Sequence, residues 1–214
     1  MPRRPLTLNN RLAYHVTSRS NNQDWFYLPI QQCWYVFQAS LNAIVEKYQV
    51  HAYSFVLMSN HFHLILSTPF ANLGDVMRDF LTFTSKRIQS KVNRKNHVFG
   101  ARYKWSLLDS EHAVGYVTKY LLRNPVRAGV CNRVEEYLYS SLNRQGLPLV
   151  CGFDPYWRAV PRGRESLLNW LNQPTAKELE MLIAQGLRRE VFAFSKDNGK
   201  QRLVRALQSV YGIE

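Results

Sequence analysis

The stretch spanning residues 53–67, YSFVLMSNHFHLILS, constrains the fold most, because apolar runs flank a short Ser-Asn pair. This pattern predicts strands over residues 50–58 and 61–67, joined as an antiparallel hairpin. Side chains two apart on a strand share a face, so His61 and His63 project side by side. Two imidazoles at this spacing can bind one metal ion if other groups complete the shell, whereas an isolated pair is more often structural.

The rest of the chain alternates strand patterns with amphipathic helices. The third helix should end at Asn124, because the residue before a proline is disfavoured in the α region. The order of elements predicts an α+β sandwich with a central, mostly antiparallel sheet and helices packed on it. The further strands are predicted over residues 12–19 and 100–109, and the helices over residues 30–48, 72–93 and 110–124.

A change in composition divides the chain into residues 1–145 and residues 146–214, where Pro and Gly become frequent. In the second part, Thr175 and Glu178 have the spacing of a capping box at the start of a short helix. Residues 203–211 predict a last helix. We expect a helical C-terminal extension of unknown role, either packed on the first part or forming a small appendage.

The charge of the chain indicates the class of its partner, and its cysteine content indicates which cross-links and zinc sites to expect. The net charge is +13 with a pI near 9.9, which favours a polyanion, nucleic acid before an anionic membrane. The sequence has no apolar run of 18 residues and its basic start lacks a signal-peptide core, so we expect no membrane attachment and a cytoplasmic protein. Three widely spaced cysteines predict neither a disulfide framework nor a zinc ribbon.

The third helix carries groups that could complete the histidine site. Tyr120 and Asn124 are four residues apart and therefore share a helical face. Placed over the sheet, this face would bring the Asn124 carbonyl to His61 and His63 around one divalent ion, with Tyr120 beside it. This set suits phosphodiester cleavage, in which a metal polarises the phosphate and a phenolate attacks to form a covalent phosphotyrosine.

Several motifs together resemble the Y1 transposase family over roughly residues 12–142. They are HFH in its strand, Y-x-x-x-N-P-V-R-A-G from Tyr120, YHVTSR near the start and YLYSS after the third helix. Within that family the chain is similar to the REP-associated tyrosine transposases. The resemblance implies an HUH fold, which is a ferredoxin-like sandwich, with a divalent ion, Mg²⁺ or Mn²⁺. It also implies cleavage and rejoining of single-stranded DNA next to a hairpin.

The same resemblance implies roles for individual residues. His61 and His63 match the metal histidines, Tyr120 matches the nucleophile, and Asn124 matches a third ligand that is often Gln in insertion-sequence relatives. Tyr116, one turn earlier, is the rival nucleophile. Two nitrogens and an amide oxygen suit Mn²⁺ somewhat better than Mg²⁺. A monomer is favoured over a dimer with shared sites, because the REP branch is expected to be monomeric.

A DNA-binding surface is predicted independently by charge. Between Phe80 and Leu108 every charged residue is basic, and aromatic residues interleave with the last of them. Positive charge follows a phosphate backbone and aromatic rings stack on unpaired bases, although a lone basic run is more commonly a solvated helix face. The predicted contacts to single-stranded or hairpin DNA are Arg19, Lys86, Arg87, Lys91, Arg94, Lys95, Arg102, Tyr103, Lys104, Arg123 and Arg127.

Two other functions stay open at this stage. A non-catalytic DNA- or RNA-binding regulator would keep the basic surface while the metal site is idle. A hydrolytic metallonuclease would release free 5′-phosphates without a covalent adduct. His15 and His51 lie in predicted strands, and we interpret both as structural residues.

Overall fold

The computed structural model describes residues 6–93, 95–143, 146–149 and 158–194 of the 214-residue chain. Its centre is a sheet of four strands that lie in the order 51–57, 61–67, 13–19 and 104–108, and every neighbouring pair is antiparallel. This confirms the predicted α+β fold. The fourth strand is shorter than predicted. The strands are β1 (Ala13–Arg19), β2 (His51–Leu57), β3 (His61–Ser67) and β4 (Lys104–Leu108).

Helices cover both faces of the sheet, with α1 (Ile30–Tyr48) and α2 (Leu73–Val92) on one face and α3 (Glu111–Leu122) on the other. In β3, Phe62 and Leu64 pack into the core formed with α1 and α2, whereas Ile65 packs with α3. Because successive side chains of a strand point to opposite faces, His61 and His63 share the face of Ile65, below α3. The other helices are α4 (Asn124–Arg127), α5 (Arg164–Asn172) and α6 (Lys177–Gly186).

The ends of the first three helices follow the local sequence signals. The first begins directly after Pro29, and the second lies between Asn72 and Asn93. Asn93 adopts the left-handed conformation with a φ of 51°, which asparagine tolerates at a helix end. Ser110 caps α3, because its hydroxyl oxygen accepts a hydrogen bond from the Ala113 N–H at 3.2 Å.

The prediction that the chain leaves the helical region at Asn124 was wrong. A further helical turn, α4, begins there, and the Ala128 N–H donates to the Asn124 carbonyl at 2.9 Å. Pro125 fits because its missing N–H falls in the first turn, where no intrahelical acceptor is required. The chain therefore continues from Tyr120 to Asn124 with helical spacing.

The C-terminal extension packs on the third helix instead of standing apart. Leu171 and Ile183 are buried in one apolar cluster with Val117 and Leu121 of α3. The Arg123 guanidinium donates to the Leu171 carbonyl at 2.6 Å, which ties α5 to the end of α3. The outer face of α3 is therefore covered by residues from beyond position 145.

The proposed capping box at Thr175 and Glu178 is also corrected. The helix begins at Lys177 after Ala176, whose side chain makes no capping hydrogen bond. The helix predicted over residues 203–211 lies outside the described residues.

Chain segments from outside the sheet cover both of its edges. On the β4 side, Leu107 donates to the Glu190 carbonyl at 2.7 Å and accepts from the Phe192 N–H at 2.9 Å. On the β2 side, the Leu57 N–H donates to the Tyr139 carbonyl at 3.0 Å. These contacts satisfy edge groups that would otherwise be free to pair with another chain. Within the described part, no helix has the length and apolar character needed to cross a membrane.

Candidate active site

His61 and His63 lie on β3 at the end of the sheet that faces α3. In the register of β1 and β3, Arg19 is opposite His61 and Thr17 is opposite His63. Directly opposed residues of an antiparallel pair point to the same face. The two imidazole centroids are 5.1 Å apart, with ring planes at 86°. The histidine pair therefore forms one polar patch with the Arg19 side chain beside it.

The helical face that carries Tyr120 and Asn124 lies over this patch. The Asn124 side-chain nitrogen donates to Nε2 of His63 at 3.1 Å, and Asn124 is only 5% exposed. The Tyr120 and His63 ring centroids are 6.3 Å apart in an edge-to-face arrangement. The structure thus brings together the four residues that the sequence singled out, all within one chain.

Each of the two histidines has a hydrogen-bond partner on Nδ1. Nδ1 of His61 is 2.7 Å from the Asn60 side-chain oxygen, and Nδ1 of His63 is 2.9 Å from Nε2 of His15. Metal-bound histidines characteristically donate their second N–H to such a partner, which fixes ring orientation and tautomer. The Asn60 oxygen can only accept, so His61 carries its proton on Nδ1 and its Nε2 is unprotonated in the neutral ring.

Burial keeps these histidines uncharged. Burial, followed by the positive charges of Arg19 and Arg127, lowers the pKa of His61 to about 4. Burial also holds the pKa of His63 well below its usual value, with smaller contributions from His15 and His61. Metal ligation requires a neutral imidazole, so protons do not compete for this pair at neutral pH.

The two candidate nucleophiles, Tyr120 and Tyr116, have different surroundings. The Arg127 guanidinium carbon lies 3.8 Å from the centre of the Tyr120 ring. Tyr116 instead has its ring 5.5 Å from Phe194 and 6.5 Å from His112. Tyr120 is thus held beside the histidines, while Tyr116 packs against the C-terminal extension.

Several predicted DNA contacts lie on the same face as the histidines. Lys104 of β4 is opposite Thr17, which is opposite His63, so Lys104 points to the α3 face. Arg19, Lys104 and Arg127 are exposed there. These three cations form the basic rim of the site.

The basic residues of α2 lie elsewhere. Lys86, Arg87 and Lys91 are on a helix that packs against the opposite face of the sheet, and Arg87 lies over the Phe83 ring at 5.7 Å. Lys95 is exposed just beyond this helix. DNA that contacted both these residues and the histidines would have to pass around the sheet.

Three other predicted DNA contacts have different surroundings. Tyr103 is only 7% exposed and belongs to the core, so its ring is not available for a base, although Arg102 beside it is exposed. Arg123 is half-buried and donates to the Leu171 carbonyl. Arg94 lies outside the described residues.

Two residues near the site were missed by sequence reasoning. His15, interpreted as structural, is in direct contact with His63. Trp25, which had no assigned role, is 76% exposed on a loop whose neighbour Phe26 donates to the Ser59 carbonyl at 2.9 Å. The positions of both residues depend on β1 and its following loop lying beside β3. Strand patterns alone do not specify which strands are neighbours.

The donor set of the site is unusual for a metal centre. Among residues 6–93, 95–143, 146–149 and 158–194, no three His, Cys, Asp or Glu side chains cluster in a way that could hold a metal ion. A metal here would depend on two imidazoles and the Asn124 amide. Nitrogen with neutral oxygen donors favours a first-row divalent ion such as Mn²⁺ over Mg²⁺.

Three comparisons relate the chain to known proteins. The family model described as "Transposase IS200 like" matches residues 9–124, more than half of the chain. A solved REP-associated tyrosine transposase bound to a REP hairpin is 16% identical, with a TM-score of 0.58, and the match covers 76% of this chain and 99% of that one. A candidate transposase of Deinococcus radiodurans R1 is also 16% identical, with a TM-score of 0.40 and coverage of 56% and 95%. No curated protein sequence matches the chain.

Proposed function

Because the chain belongs to the IS200-like transposase family, we propose that it is a metal-dependent single-stranded DNA endonuclease and strand transferase. It cleaves and rejoins DNA next to hairpins of repetitive extragenic palindromes through a covalent 5′-phosphotyrosine on Tyr120. The observation that carries the proposal is the convergence of His61, His63 and Asn124 beside Tyr120, with Asn124 only 3.1 Å from His63.

The residues present fit a divalent ion. His61 and His63 are neutral and buried or half-buried, and Asn60 and His15 contact their Nδ1 atoms. Asn124 carries a carbonyl oxygen on the amide that contacts Nε2 of His63. When bound, a divalent ion would polarise the scissile phosphate and offset its negative charge.

The protein's own groups would position the phosphate and supply the nucleophile. Arg19 and Arg127 place positive charge beside the histidines, which attracts a phosphate group to the site. The Tyr120 oxygen forms a bond to phosphorus as the bond to the 3′ oxygen breaks. The phenol gives up one proton and the departing 3′ hydroxyl takes one up. Attack by a second 3′ hydroxyl reverses the step and rejoins the strand.

Hairpin DNA is the substrate that the comparisons favour. The fold is similar to that of a REP-associated tyrosine transposase bound to a REP hairpin. The exposed cations at Arg19, Lys104 and Arg127 suit a phosphate backbone, and the exposed Trp25 indole is suited to stack on an unpaired base. We therefore replace the buried Tyr103 with Trp25 in the proposed DNA surface.

A monomer can supply the whole site. Tyr120 and His63 belong to the same chain and their ring centroids are 6.3 Å apart. A dimer that shared its sites would instead place the tyrosine of one chain beside the histidines of the other. We propose that the protein acts as a monomer, with catalysis in residues 1–145. Within the extension of residues 146–214, α5 and α6 hold the outer face of α3.

Reaction with a labelled hairpin distinguishes the proposed strand transferase from a hydrolytic nuclease and from a non-catalytic regulator. The substrate is a DNA hairpin with single-stranded flanks, labelled with different dyes at its 5′ and 3′ ends and incubated with Mn²⁺. A tyrosine transferase attaches the 3′-labelled fragment to protein on a denaturing gel and frees the 5′-labelled one. A hydrolytic nuclease frees both fragments, and a regulator leaves the DNA intact; either result contradicts the proposal. His61→Ala should abolish cleavage while leaving hairpin binding largely unchanged.

A further inference from the structure

His15 lies behind His63 in the sheet and contacts it directly. Nε2 of His15 is 2.9 Å from Nδ1 of His63, and the two rings are stacked with planes at 26°. His15 is 2% exposed and His63 8% exposed. Both rings are neutral in such surroundings, so a single proton lies between the two facing nitrogens.

The position of that proton decides whether His63 can bind a metal. If His63 carries it on Nδ1 and donates to His15, Nε2 of His63 keeps its lone pair. If His15 carries it and donates to His63, the neutral His63 ring must be protonated on Nε2. In the second state the nitrogen that faces Asn124 is a donor and cannot be a ligand.

The surroundings of the pair favour the first state. The side-chain nitrogen of Asn124 points at Nε2 of His63 from 3.1 Å, and this donor requires an unprotonated acceptor. When His15 accepts on Nε2, its own proton lies on Nδ1. Ser106 is directly opposite His15 in the register of β1 and β4. The fully buried Ser106 hydroxyl makes no hydrogen bond with any described residue.

We infer that His15 is a positioning residue that accepts the Nδ1 proton of His63 and so directs the Nε2 lone pair of His63 into the metal site. This rests on the proposed function, since it takes His63 as a ligand. His15 itself touches neither substrate nor metal. The role goes beyond packing, because a ring of the same shape without an acceptor nitrogen could not perform it.

Nuclear magnetic resonance of the metal-free protein tests the tautomer directly. Long-range ¹H–¹⁵N correlations of the chelator-treated wild type at pH 7.5 should show His63 protonated on Nδ1 and His15 protonated on Nδ1 as well. A His63 ring protonated on Nε2 would overturn the inference, whatever the catalytic activity of the protein.

Binding of Mn²⁺ alone tests the consequence for the metal site. Mn²⁺ is titrated into the protein, and the electron paramagnetic resonance signal of the free ion measures how much remains unbound. His15→Phe keeps the ring shape but removes the acceptor, and should weaken Mn²⁺ binding by roughly 10- to 100-fold. His15→Gln, whose side-chain oxygen reaches the place of Nε2, should recover most of the loss. His51→Phe is the matched control, because His51 is an exposed strand histidine, and should bind Mn²⁺ like the wild type.

The outcomes separate the role of His15 from the metal site itself. A folded His15→Phe variant with wild-type Mn²⁺ affinity overturns the inference and leaves the metal site intact. If His15→Phe does not fold, equal weakening in His15→Gln and a variant without any acceptor, His15→Leu, overturns it in the same way. A wild type that binds no Mn²⁺ up to millimolar concentrations, while His61→Ala behaves identically, overturns the proposed metal centre and the role of His15 with it.

Discussion

The guanidinium of Arg127 is stacked over the ring of Tyr120, with its central carbon 3.8 Å from the ring centre. Arg127 is held there by α4, the short helical turn that follows Arg123. A cation on an aromatic face is attracted by the electron density of the ring. The contact therefore fixes the orientation of the phenol and places a positive charge where a phosphate would approach.

Loss of this stacking should slow formation of the covalent adduct more than it weakens DNA binding. A cation over an aromatic ring contributes about 0.5–2 kcal/mol, so Arg127→Ala should lower the single-turnover rate by roughly 2- to 30-fold. Arg127→Lys keeps the charge but loses the planar stack, and should give an intermediate rate. Equal rates for all three proteins would contradict a role for the contact.

Removal of the Asn124 amide should weaken metal binding. Asn124→Ala takes away one proposed ligand, so we expect Mn²⁺ affinity to fall by at least about tenfold, whereas Asn124→Asp supplies a carboxylate oxygen and should bind Mn²⁺ at least as well as the wild type. Asn42→Ala is the control, because Asn42 is exposed on α1. Calorimetric titration of the three variants measures the difference, and unchanged affinity in Asn124→Ala would remove Asn124 from the ligand set.

The free energy of unfolding should fall as the pH is lowered below about 6.5, where the histidines of the unfolded chain become protonated. Burial lowers the pKa of His15 to about 3, and that of His61 to about 4, while an unfolded histidine titrates near 6.5. The unfolded chain therefore binds more protons than the folded one below pH 6.5, and stability decreases until the pH passes through the folded values. The contribution is fully present above pH 6.5.

Urea unfolding in a chelator between pH 7.5 and 5 measures this slope. The free energy of unfolding should decline across the interval, and His15→Phe should make the decline shallower by removing one of the groups responsible. His51→Gln is the matched control for the loss of a strand histidine, because the His51 side chain is exposed. A free energy that rises toward pH 5 would show that these histidines are not buried in the neutral form.

Trp25 should contribute to binding of unpaired DNA. Stacking of a base on an aromatic ring contributes about 1–3 kcal/mol, so Trp25→Ala should weaken binding of a single-stranded flank by roughly 5- to 150-fold. Tyr35→Ala is the matched control, because Tyr35 is also an exposed aromatic but lies on α1, on the other face of the sheet. Fluorescence anisotropy of the two variants in a Tyr120→Phe background measures binding without cleavage.

An abasic scan of the DNA makes the Trp25 test sharper. If one base stacks on Trp25, removal of that base should cost the wild type as much affinity as the Trp25→Ala substitution, and the two changes together should not add. Additive losses at every abasic position would mean that Trp25 contacts no base.

The main elements of the fold and the residues of the candidate site could be read from sequence, because both depend on local patterns. The hairpin that carries His61 and His63 has apolar runs around a short turn, and Tyr120 and Asn124 are one helical turn apart. The role of Pro125 could not be predicted in the same way. The residue before a proline is locally disfavoured in the α region. At Asn124, packing and the hydrogen bonds of α4 outweigh that preference.

The residues that sequence reasoning missed or misplaced depend on sheet order. His15 reaches His63 only because β1 lies between β3 and β4, and a strand pattern does not specify its neighbours. The basic residues of α2 precede the site in sequence but lie on the other face of the sheet. Tyr103 alternates with basic residues as a DNA-binding aromatic would, yet it is buried in the core.

In the proposed mechanism, Tyr120 becomes covalently joined to the 5′ phosphate of a cleaved strand. The direct measurement is mass spectrometry of the proteolysed protein after reaction with hairpin DNA and Mn²⁺ and nuclease trimming of the bound strand. We predict a nucleotide adduct on the peptide that contains Tyr120, present in Tyr116→Phe and absent from Tyr120→Phe. An adduct on Tyr116, or cleavage by Tyr120→Phe at the wild-type rate, would contradict the assignment of Tyr120 as the nucleophile.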